Sequence, residues 1–387
     1  MAVPDNPTRR PSLDASDARI RVMVVDDSAM IRGMIVRALD SDPAVHVVAS
    51  VGNGEVALAT LKRTNVEVAV LDIEMPVMDG LTALPKLIAA QPGLQVIMAS
   101  TLTRRNASSS LQALAAGAAD YLPKPSSSTG LGAASDFQRE LLEKVKALGE
   151  AARRGRGAAP PRQAGRQAEG QVATPPARRL YAGTAVQLRN VVVATPEVVA
   201  IGSSTGGPQA LFTVLAKAAP LMQVPILITQ HMPPTFTMIL AEHISSTSGI
   251  PAAEGRDGEP VRSGRIYVAP GDFHMTVGLD GTQKVIRLSK GPAENFCRPA
   301  VDPMLRGVAK VYGRHALVVI LTGMGQDGRR GAEAITAAGG TVIAQDEPSS
   351  VVWGMPGAVA TAGLCSAVLP LPDISAYIRK HVLRSAA

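Results

Sequence analysis

Ser204 sits in Gly202-Ser203-Ser204-Thr205-Gly206, a Gly-x-Ser-x-Gly spacing that follows the apolar run Val198–Ile201 and opens a helical pattern. Two glycines so placed allow a sharp turn that exposes a hydroxyl, and the helix start behind it offers backbone N–H groups to a developing oxyanion. A loop of this kind also suits phosphate binding or a plain tight turn, and Ser203 is a second hydroxyl beside the first. A serine nucleophile needs a base, and the base needs an orienting carboxylate. The histidines are His46, His231, His243, His274, His315 and His381. His231 ends the run Pro225–Gln230, so a parallel neighbouring strand would deliver it to the same sheet edge as Ser204. His274, in Gly271-Asp272-Phe273-His274, is the competitor, whereas His243 lies on an amphipathic helical pattern. Asp327, in the glycine-bearing stretch Leu321–Gly328 after another apolar run, is the candidate carboxylate. Each group also has a structural reading: His231 as a loop hydrogen-bonder, Asp327 as a helix cap. Three such groups, each after an expected strand, predict acyl transfer by a Ser-His-Asp triad.

A second constellation is acidic. Asp26 and Asp27 follow the run Ile20–Val25, and Asp72 follows Val66–Leu71. At one end of a parallel sheet these carboxylates would repel one another, which a hard divalent cation such as Mg²⁺ relieves. Ser100 and Lys124 follow further apolar runs and reach the same edge. Asp26–Ser28 could also cap a helix, and Ser28 is well suited to it.

Strands and helices must position these groups. Apolar runs at Ile20–Val25, Val45–Ala49, Val66–Leu71, Val96–Ala99 and Tyr121–Leu122 alternate with helical patterns near Met30–Leu39, Glu55–Lys62, Leu81–Ala90, Ala107–Ala116 and Phe137–Leu148. That alternation predicts a five-stranded parallel sheet covered on both faces. Beyond residue 190, strands are expected at Val198–Ile201, Ile226–Thr229, Ile266–Ala269, Met275–Val277, Val285–Leu288, Leu317–Leu321 and Thr341–Ala344, with a hairpin at Asp280-Gly281. This half too is α/β, doubly wound and mainly parallel. The expected division is a polar tail over 1–18, one domain over 19–140, a flexible linker over 141–190 and a second domain over 191–384.

Aromatic residues make up only 3% of the chain, so the cores must be aliphatic. No apolar run approaches the ~18 residues of a membrane span, and the first residues lack an apolar signal segment. Two cysteines, Cys297 and Cys365, cannot make a disulfide framework, so a cytoplasmic setting is expected. Residues 150–190 hold eight arginines against two glutamates, nearly all of the net +7. The excess charge therefore belongs to the expected linker, as a solvated tether or a patch that meets an acidic partner, and gives no basic reading face for nucleic acid.

Residues 20–140 resemble the receiver domain of two-component response regulators. The likeness rests on Val24-Val25-Asp26-Asp27-Ser28, Leu71–Gly80 and Tyr121-Leu122-Pro123-Lys124-Pro125. It implies a flavodoxin-like fold in which Asp72 accepts a phosphoryl group from a histidine kinase. It also implies Mg²⁺ ligation by Asp26, Asp27, Asp72 and the Glu74 backbone carbonyl. Lys124 would pair with the phosphoryl group, Ser100 and Tyr121 would couple it to the opposite face, and Lys124-Pro125 would be cis. An ordinary α/β-hydrolase with this serine elbow runs Ser, Asp/Glu, His, unlike the Ser, His, Asp order here. Instead, residues 192–382 are similar to the catalytic domain of the chemotaxis protein-glutamate methylesterase (CheB) family. The carrying segments are Ile201–Pro208, Ile228–Pro233, Arg265–Gly271, Arg298–Asp302, Leu321–Gly328 and Gln345–Pro356. The resemblance implies phosphorylation-activated hydrolysis of glutamate methyl esters on methyl-accepting chemotaxis receptors, and deamidation of glutamines, with no cofactor for the ester chemistry. The unphosphorylated receiver would cover the Ser204 cleft. Thr205 and the Met324 backbone N–H would lie beside the nucleophile, although Met324 could equally serve packing. The alternative is a receiver-gated serine esterase acting on another substrate in a parallel signalling pathway. Neither reading calls for nucleic acid or membrane insertion.

Overall fold

The computed structural model describes residues 18–101, 103–124, 131–157, 185–190, 194–218 and 223–383. Its first half follows the expected alternation as β1 (Ile20–Val25), α1 (Ala29–Asp40), β2 (Val45–Val51), α2 (Gly54–Leu61), β3 (Val68–Asp72), α3 (Gly80–Ala90), β4 (Gln95–Ser100), α4 (Arg104–Ala115), β5 (Asp120–Pro123) and α5 (Leu131–Gly157). The five strands are parallel in the order β2-β1-β3-β4-β5. All five residues of β3 are buried, as a central strand with helices on both faces requires. The order reverses between β1 and β3, which opens a crevice at their carboxyl ends where ligands bind in such sheets. Ser28 does cap α1, accepting from the Ile31 N–H at 3.4 Å.

One boundary moves. The linker expected from residue 141 begins later, because α5 runs on to Gly157. Leu141, Val145, Leu148 and Ala152 recur at helical spacing and are buried against the receiver core. Arg153, read from its composition as part of a solvated tether, instead grips the buried Glu67 carboxylate through Nε at 2.7 Å and Nη2 at 3.1 Å. The polar tail to residue 17, the arginine-rich stretch 158–184 and Pro125, with its expected cis bond, lie outside the described residues.

The second half comprises β6 (Val198–Ser203), α6 (Gly207–Ala218), β7 (Ile226–Gln230), α7 (Phe236–Ser248), β8 (Ala252–Glu254), β9 (Ile266–Val268), β10 (His274–Asp280), β11 (Gln283–Ser289), α8 (Val301–Tyr312), β12 (Ala316–Ile320), α9 (Arg329–Ala337), β13 (Thr341–Gln345), α10 (Met355–Thr361), β14 (Ala367–Leu369) and α11 (Leu371–Val382). Seven strands form one parallel sheet in the order β14-β13-β12-β6-β7-β9-β8, and β10-β11 is the expected antiparallel hairpin, turning through Gly281. The short edge strands β8 and β14 had no three-residue signal strong enough to be read. From β6 the chain first builds toward β8, then returns to add β12, β13 and β14 on the other side. The switch point therefore lies at β6, and the loops after β6, β7 and β12 share its edge.

The two halves pack together. Leu111 and Leu114 of α4 and Tyr121 of β5 belong to the same buried apolar cluster as Leu211, Phe236 and Leu240 of the second half. The Tyr121 and Phe236 rings stack with centroids 4.5 Å apart, a pairing worth about 0.5–1.5 kcal/mol beyond area burial. Among the described residues no helix is long and apolar enough to cross a membrane.

Candidate active site and phospho-acceptor site

β6 ends at Ser203, and Ser204 is the first residue beyond it. Ser203 is fully buried and donates to Gln230 Oε1 at 2.7 Å, which removes it from competition as a nucleophile. Ser204 is half-buried, and its Oγ bonds to no described residue. Gly206 holds φ +74°, and a Cβ there would strike Val351. A Cβ on Gly323 would come within 2.9 Å of the Ser204 Cβ, so these two glycines allow the turn and the close approach of the β12 loop. Ser204 N–H donates to Thr322 O at 3.0 Å. Among the described residues the backbone N–H groups of Thr205, Gly206 and Met324 donate to no protein acceptor, leaving them open to a developing oxyanion. The Met324 side chain packs against the buried cluster that holds Val352, so the position has both a packing use and a free donor.

His231 follows β7 and reaches Asp327 through Nε2, at 2.8 Å from Oδ2. His274, the competitor, has both nitrogens engaged: Nε2 with Pro292 O at 2.9 Å, and Nδ1 accepting from Ala300 N–H at 3.2 Å. Asp327 is buried, yet it stays an anion. Its oxygens accept from Val301 N–H at 2.6 Å, Asp302 N–H at 3.0 Å, Gly328 N–H at 2.9 Å and Asn295 Nδ2 at 2.9 Å, besides His231. Burial works to raise its pKa, but the His231 and backbone donors outweigh that and hold it below the ordinary carboxylate value. Two of those donors are the first N–H groups of α8, whose positive end favours the charge. The His231 imidazolium is stabilised in turn. Burial opposes its charge, but Cys297 and Asp327 prevail and raise its pKa to about 10.

Sequence reasoning missed Asn295, Cys297 and Asp302 here. Cys297 Sγ lies 3.3 Å from His231 Nδ1, so no hydrogen bond joins the imidazole to Ser204 in this state. Asp302 lay within a segment that carried the family likeness but bore no assigned role. Asn295 offered no signal at all, because it reaches Asp327 across 32 residues.

The comparisons with known proteins agree on both halves. The family model described as "CheB methylesterase" matches residues 199–378, and the one described as "Response regulator receiver domain" matches 22–135. The protein-glutamate methylesterase/protein-glutamine glutaminase 1 of Paramagnetospirillum magneticum is 58% identical over 94% of this chain and 97% of its own. The protein-glutamate methylesterase/protein-glutamine glutaminase of Azospirillum brasilense is 56% identical over 99% of this chain and 98% of its own. The crystal structure of the Thermotoga maritima CheB methylesterase catalytic domain is 41% identical, covering 48% of this chain and 99% of that one, with a TM-score of 0.47. The chain belongs to the protein-glutamate methylesterase/protein-glutamine glutaminase family.

In this methylesterase the receiver site lies at the other switch point. Ligand oxygens of Asp26, Asp27 and Asp72 lie within 4.8 Å of one another, with Asp27 exposed. Lys124 Nζ bridges Asp26 and Asp72 at 2.7 Å each. Burial raises the Asp72 pKa, Lys124 opposes this and Asp26 reinforces it. Glu74 is exposed beside a cleft of about 410 Å³ that Asp27 and Asp79 also line. Three hard oxygen donors, one open to solvent, fit a divalent cation such as Mg²⁺. Ser100 is buried and bonded to Ser110 Oγ at 3.0 Å rather than turned to Asp72.

The receiver also touches the loop that carries Ser204. Thr205 follows Ser204, and its hydroxyl donates to Asp120 Oδ2 of β5 at 2.7 Å. Lys144 of α5 holds Asp120 at 3.2 Å and the Tyr121 carbonyl at 2.6 Å. Gln209 of α6 donates to the Ala118 carbonyl, and Arg104 pairs with Glu242 at 3.2 Å. The Tyr121 ring lies buried in this contact, where burial drives its phenol pKa well above the ordinary value.

Proposed function

We propose that this chain hydrolyses glutamate methyl esters on methyl-accepting chemotaxis receptors, and deamidates glutamines there, with Ser204 as nucleophile, His231 as base and Asp327 as its orienting anion. The supporting observation is the His231–Asp327 bond of 2.8 Å beside a serine hydroxyl that no described residue holds. With Nε2 committed to Asp327, Nδ1 is the nitrogen that takes the Ser204 proton as Oγ attacks the side-chain carbonyl. The tetrahedral oxyanion is met by the free N–H groups of Thr205, Gly206 and Met324. The imidazolium, paired with Asp327, then protonates the departing methoxide as methanol. Water repeats the cycle and releases the glutamate side chain and the serine hydroxyl. An amide passes through the same intermediate, with ammonia leaving in place of methanol.

We infer that the receiver gates this site. A histidine kinase would phosphorylate Asp72, with Mg²⁺ held by Asp26, Asp27, Asp72 and the Glu74 carbonyl. Bound there, the cation neutralises charge on the phosphoryl group during transfer. Lys124, already on Asp72, would turn to the new phosphoryl oxygens and release Asp26. β5 begins at Asp120 and ends at Pro123, one residue before Lys124, so a shift of this strand reaches Thr205 directly. The reading places the chain in the cytoplasm, with receptors and kinase as protein partners. The test is methanol release from methylated receptor membranes, with and without a small-molecule phosphoryl donor. Release that the donor stimulates is the expected result. Hydrolysis of a simple methyl ester with none from receptor membranes would point to another substrate in a parallel pathway.

A further inference from the structure

Glu294, Asn295, Phe296 and Cys297 form a tight turn closed by two backbone bonds, Glu294 N–H to Cys297 O at 3.1 Å and Cys297 N–H to Glu294 O at 2.9 Å. Its central residues hold left-handed backbone, Asn295 at φ 51° and Phe296 at φ 63°. Asparagine tolerates that conformation; phenylalanine does so only when the surroundings enforce it, and such residues gather at functional sites. The turn reaches both members of the His-Asp pair. Asn295 Nδ2 donates to Asp327 Oδ1 at 2.9 Å and to Asp302 Oδ2 at 3.1 Å. Cys297 Sγ lies against His231 Nδ1 at 3.3 Å. The nitrogen that must accept the serine proton is thus the one that faces sulfur, while Ser204 Oγ bonds to no described residue.

We propose that Cys297 is a positioning residue: its thiol holds His231 in a resting orientation, and must give up Nδ1 before Ser204 can be activated. The proposal rests on the reading of Ser204 and His231 as nucleophile and base. No covalent bond forms or breaks at sulfur; in the resting, protonated ring Nδ1–H points at the sulfur as acceptor, and that contact gives way to one in which the neutral Nδ1 accepts from the serine hydroxyl. Two groups face the imidazole, Asp327 from the β12 loop and Cys297 from the turn. Behind them stand Asp302 at the start of α8 and Arg306, which Glu294 engages at 3.0 Å. Cys297 and Asp327 both favour the protonated ring, and a protonated ring cannot take the serine proton. Removing the sulfur therefore frees Nδ1 and lowers the proton affinity of the base. The tip of the turn also meets the receiver. The Phe296 ring, 83% exposed, lies 4.9 Å from the Arg139 guanidinium of α5, so departure of the receiver would remove a contact from the element that carries the thiol.

The experiment compares full-length wild type, Cys297→Ala and Cys297→Ser in methanol release without a phosphoryl donor, from about pH 6.5 to about 10. Cys297→Ala should raise the basal rate by about threefold or more, and Cys297→Ser, whose hydroxyl can still meet Nδ1, by less. The acid limb of kcat/KM should move down by about one pH unit in Cys297→Ala, a change that loss of packing alone would not produce. An equal or lower basal rate with an unmoved acid limb would overturn the proposal. Nitrogen NMR of His231 in the Ser204→Ala background judges the contact apart from turnover. Its Nδ1 resonance should shift on Cys297→Ala, and an unchanged resonance also overturns the proposal. If wild type itself released no methanol, the hydrolase reading would fail while the NMR comparison still decided the role of Cys297.

Discussion

Asp72, the last residue of β3, and Asp327, in the loop after β12, both lie buried at the carboxyl edge of a parallel sheet, yet their surroundings drive them in opposite directions. Asp72 has one cation, Lys124, and an acidic neighbour, Asp26, and its pKa lies above the ordinary value. Asp327 has His231 and a set of backbone and amide donors, and its pKa lies below it. A carboxylate with unmet charge and an open cleft can take a cation and a phosphoryl group. One saturated with donors can only hold a partner in place. The topology supplies the position, and the number of donors around the carboxylate sets its use.

Substitutions can break or sharpen this contrast. Ser204→Ala should lower ester hydrolysis by about 10⁶-fold, whereas Ser203→Ala should retain most activity and lose stability through the orphaned Gln230. Equal losses from both, measured as methanol release, would remove the distinction between the two serines. Asp327→Asn should lower kcat by roughly 10⁴-fold, because the neutral amide no longer favours the imidazolium. Asp72→Asn tests the other carboxylate: the basal rate should persist while stimulation by a phosphoryl donor disappears. Asp120→Ala leaves the Thr205 hydroxyl without its acceptor and removes one of the anions that hold Lys144 in the closed interface. It should cost the docked form about 1–3 kcal/mol and raise basal activity several-fold.

The pH dependence of stability separates the two sites as well. His231 has a folded pKa raised to about 10, so its stabilisation is fully present below about pH 6.5. It should be lost as pH rises from there to about 10. Thermal unfolding of wild type beside His231→Gln should show a falling midpoint over that window in wild type alone. The smallest effect is expected at Arg104 and Glu242, both largely exposed. Arg104→Ala should change the docking free energy by less than about 1 kcal/mol.

The order of amino acids determined a great deal by itself. Aliphatic runs broken at regular intervals by helical patterns can bury themselves only as two parallel α/β sheets, and residues ending those runs must share an edge. Ser204, His231, Asp327, Asp26, Asp27, Asp72 and Lys124 were legible for that reason. The two edge strands of three residues and the extent of α5 were not, since short strands carry no period and α5 runs through a stretch whose composition resembles a tether. Tertiary structure alone decided what depends on distance across the chain. Which serine faces out, which nitrogen of His231 meets Asp327, that Asn295 and Cys297 arrive on one strained turn, and that Asp120 of the receiver takes the Thr205 hydroxyl all follow from side chains tens of residues apart meeting at one rim. Hydrogen bonds act over about 3 Å, and no local pattern in a sequence encodes a contact that only packing creates.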